Sequence, residues 1–297
     1  MALIKPHALL ELNPFVRDVL VHNPVARAEF RHQRHLIATS RSGRGWIVLA
    51  MAMMVPAFIT AVVLYGLSLL GLPLIDTDNL LLQQVLGLSV VLFVTMNVAQ
   101  YLVVMFITMG LAANSIAREK QNRTWDTLLL TDLDARRIVW GKWWASLRAE
   151  WGDHLMVGVL RLGLLGFTFA AVRDNLPGES IFGLPIGLTY IPVLTLLVLS
   201  YTAMDAAFTA MLGVTVPLLP WSGAVGAAIV MAVRVVMLVV LLGITLVAIY
   251  TLGEYNLAVC LGVGLAGMII TIAIIWLGLR LGEWLAVLQQ VSPAARR

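Results

Sequence analysis

The chain has 297 residues, 60% of them hydrophobic and 12% charged, with a mean hydropathy of +0.92. A soluble domain carries about a quarter charged residues, so this composition excludes a water-soluble globule and makes the bilayer the solvent. The net charge of +4 does not point to nucleic acid, because the basic residues cluster beside apolar runs, where they set topology and meet anionic lipid heads.

Residues 1–45 read as a cytoplasmic leader rich in basic groups: Lys5, Arg17, Arg27, Arg31, Arg34, Arg41 and Arg44. No cleavable signal peptide is visible, since the first long apolar run begins at Trp46. Within the leader, Val25, Phe30, Ile37 and the basic residues suit an amphipathic helix lying in the interface; a solvated basic leader is the alternative.

Crossing the hydrocarbon core takes about 20 apolar residues. The runs 46–72, 80–113, 154–172, 184–212, 224–250 and 257–279 qualify. They are apolar throughout rather than alternating, so an all-α polytopic membrane protein is expected and a barrel is not. The transmembrane domain is 46–279, with about six helices by this length criterion; residues 280–297 form the tail. The single cysteine, Cys260, lies in the last run and allows neither an internal disulfide nor a cysteine metal cluster.

Charge then fixes orientation. The connection between the second and third runs carries Arg118, Lys120, Arg123, Arg136, Arg137, Lys142 and Arg148. The first connection has Asp76 and Asp78 and no basic residue, the fifth only Glu254, and the tail holds Arg280, Arg296 and Arg297. Both termini are therefore expected in the cytoplasm, with a multi-pass location in the cell (inner) membrane. The second run would reach about 50 Å as a helix, more than a bilayer needs, so its end should project into the cytoplasm.

It leads into segment 115–151. Thr124 is placed to cap a helix, with Asp126 in its positive first turn; Asp134 is placed to cap a second helix over 135–147. Trp140, Trp143, Trp144 and Trp151 suit the membrane interface. The turn 125–130 is apolar between charged flanks, which reads as a knob for a partner's groove.

The ordered pattern Arg118-Glu119, Thr124-Trp125-Asp126-Thr127-Leu128-Leu129-Leu130-Thr131, Ile138 and Gly141-Lys142 resembles the ABC-2 type permeases, the membrane subunits of ATP-binding-cassette exporters. Asn23-Pro24-Val25 with Arg27, Glu29 and Arg31 resembles their N-terminal segment. The chain departs from the family pattern at Arg123, where glycine is usual, and at Asp132, where proline is common. The resemblance implies that 124–131 is a coupling helix docking into an ABC ATPase subunit, supported by Arg118 and Glu119. The docking residues would be Thr124, Trp125, Asp126, Leu128, Leu129, Leu130 and Thr131. It also implies a second permease subunit, alike or different, with the path between the two. The chain has no phosphate-cradling Gly-x-x-x-x-Gly-Lys-Ser/Thr loop. It is therefore expected to be no enzyme and to hold no cofactor; ATP and magnesium would sit on the partner.

Arg161, Asp205 and Arg234 fall inside apolar runs, where charge is costly. A buried ion network and a basic lining of the path both account for them. Other patterns carry less. The Gly262-x-Gly264-x-x-Gly267 match lies in an apolar run with no preceding strand, and Gly278 and Gly282 make a small-xxx-small pair. No metal site is expected from Asp76 and Asp78 or from His32 and His35. The rival reading is a non-catalytic structural or anchor subunit of a larger membrane complex.

Overall fold

The computed structural model describes residues 19–20, 22–39, 80–131, 133–172, 180–181, 184–219, 225–226, 228–237 and 257–291. The expected span 46–72, its loop 73–79, the later part of 224–250, the connection 251–256 and the chain ends lie outside the described residues, as does most of the connection 173–183.

The described chain is helical apart from one small antiparallel ribbon. Helix α1 is Pro24–Thr39 and α2 is Leu80–Gln121. A short α3, Thr124–Leu129, precedes α4, Ala135–Ala149, and α5, Trp151–Val172. The ribbon pairs β1, Ser180–Ile181, with β2, Leu184–Pro185. Helix α6, Ile186–Thr215, ends in a 3₁₀ turn, Val216–Leu218. A short apolar α7, Ala228–Met237, and α8, Leu257–Val291, complete the order. Among the described residues three helical stretches are long and apolar enough to cross a membrane: Val94–Gln121, Thr195–Leu218 and Gly262–Gln289.

The helix starts follow local chemistry. Asn23 caps α1: its Oδ1 accepts from the backbone N–H of Val25 at 2.9 Å and of Ala26 at 3.4 Å, with Pro24 at the first helical position, where a missing N–H costs nothing. Asp134 caps α4, accepting from Arg136 N–H at 3.3 Å. Thr124 does not cap α3. Arg123 takes that position in the left-handed region, at φ 58°, and the Thr124 hydroxyl turns back to donate to the Glu119 carboxylate. Helix α2 runs 42 residues, about 63 Å at the usual rise, and so continues past the apolar run into the charged segment.

The chain forms two compact units. The first comprises Met1–Leu36, Ile107–Glu150 and Ala206–Arg297; the second comprises Ile37–Phe106 and Trp151–Asp205. The first unit has a core built around Ile116, Ile138, Val139, Met211, Val214 and Leu279. In α8, Gly278 faces the thioether of Met211 and Gly282 faces Val139 and Thr215. A side chain at Gly278 would overlap the Met211 sulfur, so the small residue is what permits the packing. The rest of α8 turns large apolar groups outward: Ile269 is 68% exposed, and Ile270, Leu277 and Trp284 are 58% exposed. An apolar surface of this extent is compatible with lipid rather than water around the helix.

Candidate functional site

The two stretches that carry the family resemblance meet in the first unit. Lys142, on α4, is buried. Its Nζ donates to Glu29 Oε2 of α1 at 3.2 Å and to the Ser115 carbonyl of α2 at 2.8 Å. Arg118, at the end of α2, donates to the same Glu29 oxygen at 3.0 Å. Glu119 Oε1 lies 3.7 Å from both Arg118 and Lys142. Two cations thus face two carboxylates, which offsets the cost of removing Lys142 and Glu29 from water.

Uncharged groups complete the joint. Gln33 Nε2 donates to Glu29 Oε1 at 3.1 Å and to Ser146 Oγ at 3.0 Å; Ser146 Oγ donates to the Lys142 carbonyl at 3.0 Å. The Asn23 amide donates to the Arg137 carbonyl at 2.6 Å and to the Val19 carbonyl at 2.8 Å. Gly141 makes this approach possible. A Cβ there would lie 2.6 Å from Asn23 Nδ2, closer than real side chains come, and a tight 3.2 Å from Ala26 N. The inner face of α1 is accordingly Ala26, Glu29 and Gln33. Val25, Phe30 and Ile37, expected to form its apolar face, are only half-buried.

Segment 124–131 rests on the far end of α8. Trp125 is 3% exposed, and its indole N–H donates to Gln289 Oε1 at 3.0 Å. Gln289 Nε2 in turn donates to the Leu218 carbonyl at 2.6 Å. Leu129 is buried beside Trp125 in the same core. Glu283 accepts from the Trp140 indole and pairs with Arg280 at 2.8 Å and Arg136 at 3.9 Å. Lys120 donates to the Pro217 carbonyl at 2.6 Å. The last turns of α8 therefore hold α3, α4 and the 3₁₀ turn together.

Of the residues singled out for docking, Trp125 and Leu129 face the protein's own core, and Asp126 and Leu128 are half-buried. Leu130, at 86% exposure, and Thr124, Thr127 and Thr131 face outward. The surface on offer is thus a polar turn with one apolar tip. Arg118 and Glu119 sit in the joint with Glu29 and Lys142, two site residues that sequence reasoning quoted but did not single out. Asn23 was also missed as a cap, although an Asn-Pro pair ahead of a helix is a readable signal.

The charges expected within the membrane belong to both units. Arg161 and Asp205 meet in the second unit, Nη2 to Oδ2 at 3.8 Å. Arg161 also donates to Thr202 Oγ1 at 3.0 Å and lies 4.8 Å from the Tyr101 ring centre, while the Tyr101 hydroxyl donates to Asp205 at 3.3 Å. Arg234 belongs to the first unit, where it is buried with its guanidinium 5.3 Å from the Phe208 ring centre.

No family model, curated protein or solved structure matches the chain. The functional reading therefore rests on residues and geometry alone.

Proposed function

We propose that the chain is the permease subunit of an ABC-2 type exporter. It forms the translocation path with a second permease subunit and is driven by a separate ATPase chain. In this reading it crosses the inner membrane six times, with both termini in the cytoplasm, α1 at the interface and α3 as the coupling helix. The supporting observation is the joint at Lys142. The two stretches that resemble the family, far apart in sequence, supply Asn23 and Glu29 on one side and Arg118, Glu119, Gly141 and Lys142 on the other.

The geometry suits transmission of a push. Trp125 ties α3 to Gln289, and Gln289 ties α8 to the 3₁₀ turn at Leu218. Load applied at the exposed Leu130 would pass to the ends of α8 and α6, because packed interiors transmit strain. ATP and magnesium stay on the partner. The test is coexpression with an ABC ATPase encoded beside this chain. Co-purification, with ATP turnover changed by the permease, is expected; a candidate ATPase that neither binds nor responds counts against the reading.

The anchor-subunit reading draws on the burial of Trp125 and Leu129, which makes α3 part of the chain's own core. It predicts a stable complex whose ATP turnover is indifferent to substitution at Leu130.

A further inference from the structure

One flank of α1 and the end of α4 line a cleft of about 230 Å³. Arg27, Arg31 and Arg148 line it together with Leu20, Phe30 and Trp144. All six residues belong to the first unit. The Arg148 guanidinium lies over the Phe30 ring, 4.6 Å from its centre, and a cation–π contact of this kind uses none of the guanidinium N–H donors that a ligand would take. Among the described residues the Arg27 guanidinium reaches the His22 ring, at 3.3 Å. Among the described residues no carboxylate pairs with any of the three arginines. Glu29, which lies between Arg27 and Arg31 in sequence, is turned to the other side of α1 and held by Lys142 and Arg118.

We propose that this cleft binds the phosphodiester headgroup of an anionic phospholipid. Three guanidiniums with no carboxylate partner among the described residues, gathered at one small cleft, suit a phosphate, and guanidinium recognises phosphate oxygens with paired N–H donors. The aromatic and aliphatic walls distinguish a lipid from a free anion. Trp144 and Phe30 offer apolar surface to the glycerol and the first methylenes, and tryptophan favours the depth where headgroup and chain meet. The cleft is smaller than a drug-sized pocket, which suits a headgroup whose chains remain in the bilayer. Its placement on the N-terminal helix makes anionic lipid a clamp on the element that carries Asn23 and Glu29. The inference requires a membrane-embedded chain but not an ATPase partner, so it survives if the exporter reading fails.

The test is native mass spectrometry of the full-length protein in detergent, titrated with phosphatidylglycerol, phosphatidylcholine, glycerol 3-phosphate or inorganic phosphate. Wild type is expected to retain phosphatidylglycerol in preference to phosphatidylcholine. Each arginine changed to glutamine, as Arg27→Gln, Arg31→Gln or Arg148→Gln, is expected to weaken retention by about five-fold, the equivalent of one phosphate contact at a membrane surface. Arg137→Gln, an exposed change elsewhere on α4, should leave it unchanged. The single variants, whose folding is checked by melting temperature, carry the test if the triple variant is unstable. Equal lipid retention in wild type and in all three variants overturns the site. Displacement of the lipid by inorganic phosphate or glycerol 3-phosphate at similar concentration overturns the lipid assignment in favour of a soluble anion.

Discussion

Lys142 and Glu29 are both buried, and removing either leaves the other with one partly exposed counter-ion, Arg118 at 3.0 Å for Glu29 and Glu119 at 3.7 Å for Lys142. Glu29→Gln is expected to cost about 3 kcal/mol, because a buried charge loses its main partner. The double variant Glu29→Leu with Lys142→Met should recover much of that loss, since apolar groups of similar volume avoid desolvation altogether. A double-mutant cycle by thermal or denaturant melting measures the coupling directly. Gly141→Ala tests the same joint sterically: its new methyl meets Asn23 Nδ2, and a loss of about 1–3 kcal/mol is expected from overpacking. In the second unit, Asp205→Asn weakens the hold on Arg161 and Tyr101. Poor assembly after this change assigns the pair to packing; a stable protein with altered transport assigns it to the path.

At the level of elements, α3 has two faces with different duties. Trp125→Phe keeps the bulk but removes the hydrogen bond to the half-buried Gln289 oxygen; a loss of about 0.5–1.5 kcal/mol is expected from one hydrogen bond. Leu130→Asp changes only the exposed tip. It should leave the melting temperature unaltered and weaken ATPase co-purification by about ten-fold or more, the scale of an interface anchor. These elements also show what was legible in sequence. The Asp134 cap was readable because a cap is local chemistry, decided within a few residues. The Thr124 cap failed because Arg123 adopts a left-handed backbone, which no rule for ordinary side chains anticipates. Trp125 read as an outward knob because its neighbours are charged, while its partner Gln289 lies 164 residues away. Glu29 and Lys142, 113 residues apart, gave no local signal of pairing; only the resemblance marked both stretches.

For the molecule as a whole, apolar run length made the helical class legible, and among the described residues three of the expected spans fall on helices long and apolar enough to cross a membrane. The six-span topology is open to direct measurement. In a Cys260→Ser background, single cysteines introduced at Asp76 and Glu254 should react with an impermeant thiol reagent added outside intact cells. Cysteines at Arg137 and Arg297 should react only after the membrane is opened. Reaction of Arg137→Cys in intact cells would reverse the orientation and remove α3 from the cytoplasm. The most direct measurement of the central claim is electron cryomicroscopy of the complex purified from its native membrane through a tag on this chain. The account predicts a nucleotide-hydrolysing subunit seated against Leu130 and its neighbours on α3. A particle that lacks such a subunit, with residues 124–131 bare to solvent or sunk in lipid, would contradict it.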